Sequence, residues 1–383
     1  MSTTLNCAGT FVPGVSSDWF LTSFDSARKL SVWPKVGMSS YRRGVRVNST
    51  LVTGTSQDHS SELMNLGRTS LQISKLGTGT LQWGDPGSGY GKSYREEDLA
   101  EAFDTLVQGG VNFFDTAEVL VYGYQGIKSG TSSEQLLGKF IRRPSGNTGS
   151  PSLTPVIASK FFTIPWTNFL VGGGFRLGRE SLLAALKESL KRTGREQIDL
   201  YQIHFPFPTF SNSALMESLK EAVEMGLTKA VGVSNYSRDQ MEEADDLLAK
   251  YNIPLASNQV QFSLLCQTPI EDGLLRVCRE RCITLIAYSP LASGVLSEKT
   301  FTRTDSRSVQ VQPLLKLMQT IGANHGGKSI TQVALNYLIC KGALPIPGCK
   351  SAELARLQLG VLGWRLEDAE VALLEQRKRD LKL

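Results

Sequence analysis

From about residue 62 onward, short apolar runs rich in β-branched residues alternate with amphipathic stretches of ten to fifteen residues. Runs of that kind suit strands buried on both faces, and the amphipathic stretches suit the helices that cover a parallel sheet. The strand candidates are KLGTGT (75–80), NFFDT (112–116), PVIASK (155–160), IDLYQIH (198–204), KAVGVS (229–234), LASNQVQF (255–262), ITLIAYS (283–289) and ALPIPG (343–348). Helical patterns lie between them, among them 95–110, 179–194 and 211–226, the first and last ending in glycine as helix C-termini do. Eight βα units in one chain predict an α/β fold of the (β/α)8 TIM-barrel type over 62–383, as a single catalytic domain.

Polar residues fall at or just past the C-terminal ends of these runs: Asp115, Lys160, His204, Ser234 with Asn235, Gln259 with Gln261, and Tyr288 with Ser289. In such a barrel those ends converge on one mouth, where reacting groups belong. Any one of these residues alone reads as an ordinary cap, a surface lysine or a satisfied core histidine. Six strands ending this way read as a site.

Composition narrows the function. The chain is 41% apolar and 20% charged, with a formal net charge of +5. Its basic residues are scattered and not interleaved with aromatics along a stripe, so nucleic acid is not an expected partner. No uncharged apolar run reaches the length of a membrane span. The six cysteines are irregularly placed, and Cys278 with Cys282 has poor spacing for zinc, so all are read as reduced thiols and that pair as buried or half-buried.

The first 58 residues have a different character. They carry six basic residues, three aspartates, no glutamate and seventeen serines or threonines. That is the acid-poor, hydroxyl-rich composition of an organelle transit peptide, with the chloroplast stroma ranked above the mitochondrion and cleavage expected within 45–60.

The stretch FFDTAEVLVYGYQG (113–126) sets Asp115 ahead of two tyrosines, Tyr122 and Tyr124. It is one of seven motifs in barrel order, with IASK, DLYQIHFP, VGVSNY, NQVQFSLL, IAYSPLASG and IPGCKS, through which the chain resembles the aldo-keto reductase family over nearly all of 62–383. PLASNQVQFSLL and IPG…LGW resemble the branch of plant chloroplast reductases that are pyridoxal reductase-like. The resemblance implies a catalytic tetrad of Asp115, Tyr122, Lys160 and His204, NADPH as cofactor and a small carbonyl compound as substrate.

The tetrad makes physical sense. One cation about 4 Å from a tyrosine at an effective dielectric of about 20 contributes roughly 4 kcal/mol, enough to bring the phenol's proton within reach of neutral pH before burial opposes it. In the resemblance Lys160 is that cation, Asp115 holds it, and His204 donates to the carbonyl oxygen. Ser234, Asn235 and Gln259 match carboxamide-binding positions, Tyr288 the aromatic that stacks on the nicotinamide, and Ser289 and Leu291 are further cofactor-binding positions that the resemblance implies. Lys350, Ser351 and Arg356 match the positions that grip an adenosine 2′-phosphate, for which a guanidinium and an ammonium are suited.

Three places depart from the family pattern. The usual tyrosine position holds Leu120, and Tyr122, followed by Gly123, reads as the same tyrosine displaced by an inserted Leu120–Val121 that must bulge outward; Tyr124 is the weaker candidate. Gly172–Gly174 lengthens the loop after the third strand. The segment after Leu296 lacks the Gly-Lys-Tyr and Pro-x-Gly-x-Arg elements of the cofactor lid, and Gly360 replaces a polar residue near the adenine. A displaced tyrosine opens a second reading, a cofactor-binding sensor or auxiliary subunit on the same barrel. The sequence leaves the oligomeric state open.

Overall fold

Eight strands, β3 Gly77–Gly79, β4 Phe113–Asp115, β5 Val156–Phe161, β6 Ile198–Ile203, β7 Thr228–Ser234, β8 Leu255–Gln261, β9 Thr284–Tyr288 and β10 Leu344–Pro345, lie side by side in chain order. Every neighbouring pair is parallel. The computed structural model describes residues 62–118, 131–143, 153–163, 178–301, 303 and 305–381, all within the unit His59–Leu383. Each apolar run picked out in the sequence overlaps one of these strands, with β5 ending one residue later and β7 starting one residue earlier than its run. The seam between first and last closes where Gly79 bridges Gly348 and its N–H donates to the Pro347 carbonyl at 3.0 Å. A side chain on Gly79 would stand 3.0 Å from the Ile346 carbonyl, so the glycine lets the seam close. The result is a (β/α)8 barrel.

Side chains alternate across the strands. On β6, Leu200 points into the lumen with Phe113, Ala158 and Ile286, while Tyr201 and Ile203 pack outward against the helical layer. The covering helices are α1 Glu96–Gln108, α2 Ser133–Arg142, α3 Gly178–Thr193, α4 Asn212–Glu224, α5 Arg238–Ala249, α6 Thr268–Glu271, α7 Leu274–Glu280, α8 Glu298–Phe301, α9 Ser306–Asn324, α10 Ile330–Cys340, α11 Ala352–Leu359 and α12 Asp368–Arg379. Serine caps recur: Ser132, Ser211, Ser237, Ser329 and Ser351 each accept a backbone N–H of the first turn.

A short hairpin absent from the sequence reading, β1 Leu63–Asn65 paired antiparallel with β2 Gln72–Ser74, seals the N-terminal end of the lumen. Its Leu66 and Ile73 are fully buried among the lumen residues. Asn112 latches it: its Oδ1 accepts the Ser74 N–H at 2.8 Å and its Nδ2 donates to the Gln72 carbonyl at 2.9 Å. Gly67, at φ +57°, brings the backbone so close to β8 that a Cβ would lie 2.5 Å from the Ala256 carbonyl. With one end plugged, the other end alone can open to a ligand.

Two sequence expectations change in detail. Cys278 is buried in α7, but Cys282 lies past that helix and is exposed, so the two are not a packed pair. Gly360 has a packing reason, since a Cβ there would meet Gln332 Nε2 at 2.0 Å and its carbonyl accepts both Lys328 Nζ and Trp364 Nε1. The described residues form no helix long and apolar enough to cross a membrane.

Candidate active site

At the C-terminal ends of β4 and β5, Asp115 and Lys160 are 5% and 2% exposed and joined at 2.6 Å between Oδ2 and Nζ. Strand geometry makes the pair. Asp115 pairs with Ala158, so Lys160, two residues further along β5 on the same face, reaches back across the lumen. Lys160 also donates to the Thr116 carbonyl at 2.9 Å. An ammonium carries three N–H donors, and these two bonds leave one for a further partner at the mouth. Asp115 Oδ1 accepts Gln259 Nε2 at 2.7 Å and Gln202 Nε2 at 3.5 Å, and Ser257 steadies Gln202 at 3.3 Å. A buried ion pair is costly unless its remaining atoms are satisfied, and these amides satisfy the carboxylate.

His204 follows β6. Its backbone N–H donates to the Phe161 carbonyl at 2.9 Å, extending the ladder one step. The ring stacks on Phe205 at 4.7 Å and 15°, and meets the edge of Phe162 at 5.4 Å and 76°. The residue is half-buried, and burial first and the nearby Lys160 charge second hold its pKa well below the usual histidine range. The imidazole is therefore neutral at physiological pH, with one nitrogen donating and the other accepting. Its Nδ1 is buried with no partner among the described residues.

Beyond β7 and β9 the chain turns sharply. Asn235 and Ser289 take φ of 60° and 50°, a strained left-handed conformation for residues with side chains. Asn235 donates to the His204 carbonyl at 3.0 Å and to Ser234 Oγ at 3.1 Å, and accepts the Tyr288 hydroxyl at 3.0 Å. Ser234 in turn donates to the Gln259 carbonyl at 2.8 Å. Burial, then Cys266, push Tyr288 up to about 12, so its phenol stays protonated. Leu291 packs at the edge of the helical core in the tight turn that follows.

The basic segment lies after β10. Ser351 caps α11 by accepting the Leu354 N–H at 3.3 Å, which leaves its hydroxyl proton to donate. Lys350 stands over the Tyr94 ring at 5.0 Å. Arg356 is exposed on α11. Trp83 Nε1 and Gln358 Nε2 grip the Cys349 and Gly348 carbonyls at 2.7 and 2.9 Å and fix the turn that presents these groups. A helix N-terminus beside an ammonium and a hydroxyl, with a guanidinium in the last turn of the same short helix, offers donors of the kind a phosphate takes.

The structure thus gathers Asp115, Lys160, His204, Ser234, Asn235, Gln259 and Tyr288 around one mouth, while Ser289 and Leu291 follow in the turn after β9, with Leu291 packed against the helical core. Tyr122 and Tyr124, with Leu120–Val121 and Gly172–Gly174, lie outside the described residues. The segment after Leu296 includes the short helix α8, whose Glu298 accepts the Thr331 N–H and hydroxyl at 3.2 and 2.9 Å. Sequence reasoning missed Gln202, although it stands two residues before His204 and so shares its face. It also missed the Thr116 carbonyl and the buried Glu118, which no spacing rule picks out. No group of three His, Cys, Asp or Glu among the described residues could hold a metal.

Comparison with known proteins agrees with the geometry. A model of the aldo/keto reductase family matches residues 75–378. The chain is 35% identical over 323 residues to the chloroplastic pyridoxal reductase of Arabidopsis thaliana, covering 81% of this chain and 84% of that one. A solved thermostable aldo-keto reductase in complex with the inhibitor epalrestat superposes with a TM-score of 0.64 at 31% identity, over 82% of this chain and 99% of the other. The glycerol dehydrogenase of Gluconobacter oxydans shares the fold, with a TM-score of 0.68 at 21% identity over 84% and 97% of the two chains. The family match runs through the strands whose ends build the mouth, and by it the chain belongs to the aldo/keto reductase family of oxidoreductases.

Proposed function

We propose that this oxidoreductase reduces an aldehyde or ketone to an alcohol with NADPH, through a tetrad of Asp115, Tyr122, Lys160 and His204. The carrying observation is the enclosed Asp115–Lys160 pair, with one ammonium donor to spare, beside a neutral His204. Bound at the mouth, the reduced nicotinamide supplies the hydride. The protein's part is to bind, orient and protonate. His204 donates its N–H to the substrate's carbonyl oxygen, and Lys160, pinned by Asp115, offers its remaining N–H to the Tyr122 oxygen so that the phenol can release its proton to the substrate oxygen as that oxygen gains charge. Ser234, Asn235 and Gln259 would hold the carboxamide and Tyr288 the nicotinamide ring, with Ser289 and Leu291 as further cofactor-binding positions. Lys350, Ser351 and Arg356 take the 2′-phosphate, which favours NADPH over NADH.

The test is NADPH consumption by the purified chain with a panel of small reactive aldehydes that includes pyridoxal, chosen because a similar protein is a pyridoxal reductase. Tyr122→Phe is expected to lower turnover by about 10²–10⁴ with NADPH binding intact, and Tyr124→Phe to leave it near normal. Full activity in both variants defeats the tetrad. The two-residue displacement of Tyr122 favours a second reading, a cofactor-binding sensor or auxiliary subunit; tight NADPH binding with no consumption on any aldehyde decides for it. We also infer that residues 1–58 direct the chain to the chloroplast stroma and are removed there, supported by their composition and by the chloroplastic relative. A fluorescent fusion of residues 1–60 that stays in the cytosol refutes this.

A further inference from the structure

The loop from β3 to α1 grips the segment after β10 at two consecutive residues. Trp83 Nε1 donates to the Cys349 carbonyl and fixes the backbone, and the Tyr94 ring lies under the Lys350 ammonium, 5.0 Å from centroid to Nζ, and fixes the side chain. Tyr94 is itself held. Its hydroxyl donates to the Gln82 carbonyl, its own carbonyl accepts the Gly91 N–H at 2.9 Å, and Tyr90 meets its ring at 5.9 Å and 63°. At 5% exposure the ring belongs to the core, while Lys350 is half-buried. Burial first, then Asp85 and Tyr90, hold the phenol's pKa above its ordinary value, so the ring is neutral and presents the negative face that draws a cation.

We propose that Tyr94 is a specificity-determining residue for the cofactor: by cation–π contact it holds the Lys350 ammonium ready for the 2′-phosphate. This rests on the assignment of Lys350 to that phosphate above. A lysine on a flexible four-carbon stem loses rotamer freedom when a ligand captures it, and a side chain already in place loses less. The kind of partner matters as much as the placement. Among the described residues no carboxylate pairs with Lys350, and one that did would occupy its N–H donors and repel an incoming anion. The Asp85 carboxylate in the same loop is taken up by the Gly87 N–H at 2.9 Å and the Ser88 hydroxyl at 2.6 Å. A ring face attracts the charge through its quadrupole and leaves the ammonium's full charge to the ligand. Lys160, locked to Asp115, is held for proton chemistry, whereas Lys350 over an uncharged ring stays available to bind. A ribose hydroxyl gains far less from a placed ammonium than a phosphate does, so the ring acts on NADPH and hardly on NADH.

The test is fluorescence titration of the full chain with NADPH and with NADH across a series in which Tyr94→Phe is followed by the same phenylalanine carrying one, two and three ring fluorines. Fluorine nearly keeps the shape and weakens the π face, so a residue that merely fills space leaves the series flat. NADPH affinity should fall stepwise, by about threefold to tenfold from the unfluorinated ring to the trifluorinated one, with NADH affinity steady within about twofold. Tyr94→Leu, which removes the ring, should cost at least as much; should it fail to fold, the fluorinated proteins decide. Lys350→Met should lose most of the preference for NADPH, and adding the three fluorines to it should change nothing further. A flat fluorine series beside a Lys350→Met protein that loses the preference overturns the role of Tyr94 and leaves the phosphate assignment standing. A Lys350→Met protein that keeps the preference overturns that assignment, and the role of Tyr94 falls with it. NADPH affinity that rises with fluorination overturns the proposal as well, because the ring would then be keeping the ammonium from the phosphate.

Discussion

Asp115 and Asp199 are both buried carboxylates on barrel strands, one at each end of the barrel, and their partners differ in kind. Asp199, near the start of β6, accepts the Ile157 N–H at 2.9 Å, Lys229 Nζ at 2.6 Å and Arg195 Nη2 at 3.3 Å. Its cations reach in from the surface, with the Lys229 side chain 43% exposed and that of Arg195 25%. Asp115 faces a lysine side chain only 3% exposed, and its other partners are amides of the lumen. At the plugged end the cations stay hydrated and the carboxylate ties strands together. At the open end both charges are desolvated, a cost that ion pairing seldom recovers as stability. Such an arrangement makes sense where a charge must be held for chemistry.

Breaking the open-end pair should have the largest effect. Lys160→Met leaves Asp115 buried without its cation, so a loss of about 3–5 kcal/mol in stability is expected with turnover down by about 10²–10⁴. Denaturant unfolding and steady-state kinetics measure the two. Adding Asp115→Asn should recover part of the stability and none of the turnover. A Lys160→Met protein as stable as the parent removes the claim that the pair is a desolvated one.

The plugged end should answer differently. Asp199→Asn weakens the bonds to Lys229 and Arg195 but keeps an acceptor for Ile157, so about 1–3 kcal/mol of stability should go while kcat stays. A matching fall in kcat for the folded variant erases the distinction between the ends.

This contrast was half visible in the sequence. The eight strands were legible because parallel strands buried on both faces read as continuous apolar runs, and Asp115, Lys160 and His204 stood out by interrupting the ends of such runs. Asp199 interrupts a run as well, yet the sequence gives it no partner, since Lys229 and Arg195 reach it from the next strand and from the turn after α3. The hairpin β1–β2 was illegible because three-residue strands carry almost no periodicity. Gln259 was assigned by resemblance to the cofactor, and its bond to Asp115 follows only from the twist of the barrel. Glu118 gave no signal by spacing, because a bond to a backbone N–H such as that of Phe162 leaves no mark on the pattern of side chains.

The basic segment sharpens the comparison from outside the barrel lumen. Arg356 is exposed on α11, so removing it should not disturb the fold. Arg356→Ala is expected to weaken NADPH binding by about tenfold, roughly 1.4 kcal/mol, and to leave NADH almost unchanged. Fluorescence titration with both cofactors decides, and equal losses remove Arg356 from the 2′-phosphate.

The smallest expected effect is a pH dependence carried by His204. Burial and the Lys160 charge keep its folded-state pKa well below the ordinary value. Below about pH 6.5 the unfolded chain takes up a proton there that the folded chain does not, so the folded state loses ground as pH falls and gains it as pH rises. If the folded ring stays unprotonated throughout, moving from pH 7 to pH 6 costs about 0.7 kcal/mol through this residue. His204→Asn, which cannot titrate, should lose that much less than the parent over the same interval, whatever its stability at pH 7. His325, paired with Glu370 far along the chain, is present in both proteins and cancels from the difference. An identical pH slope in the two proteins means that the folded ring takes up its proton as readily as the unfolded one, and the neutral His204 on which the open-end chemistry depends is then lost.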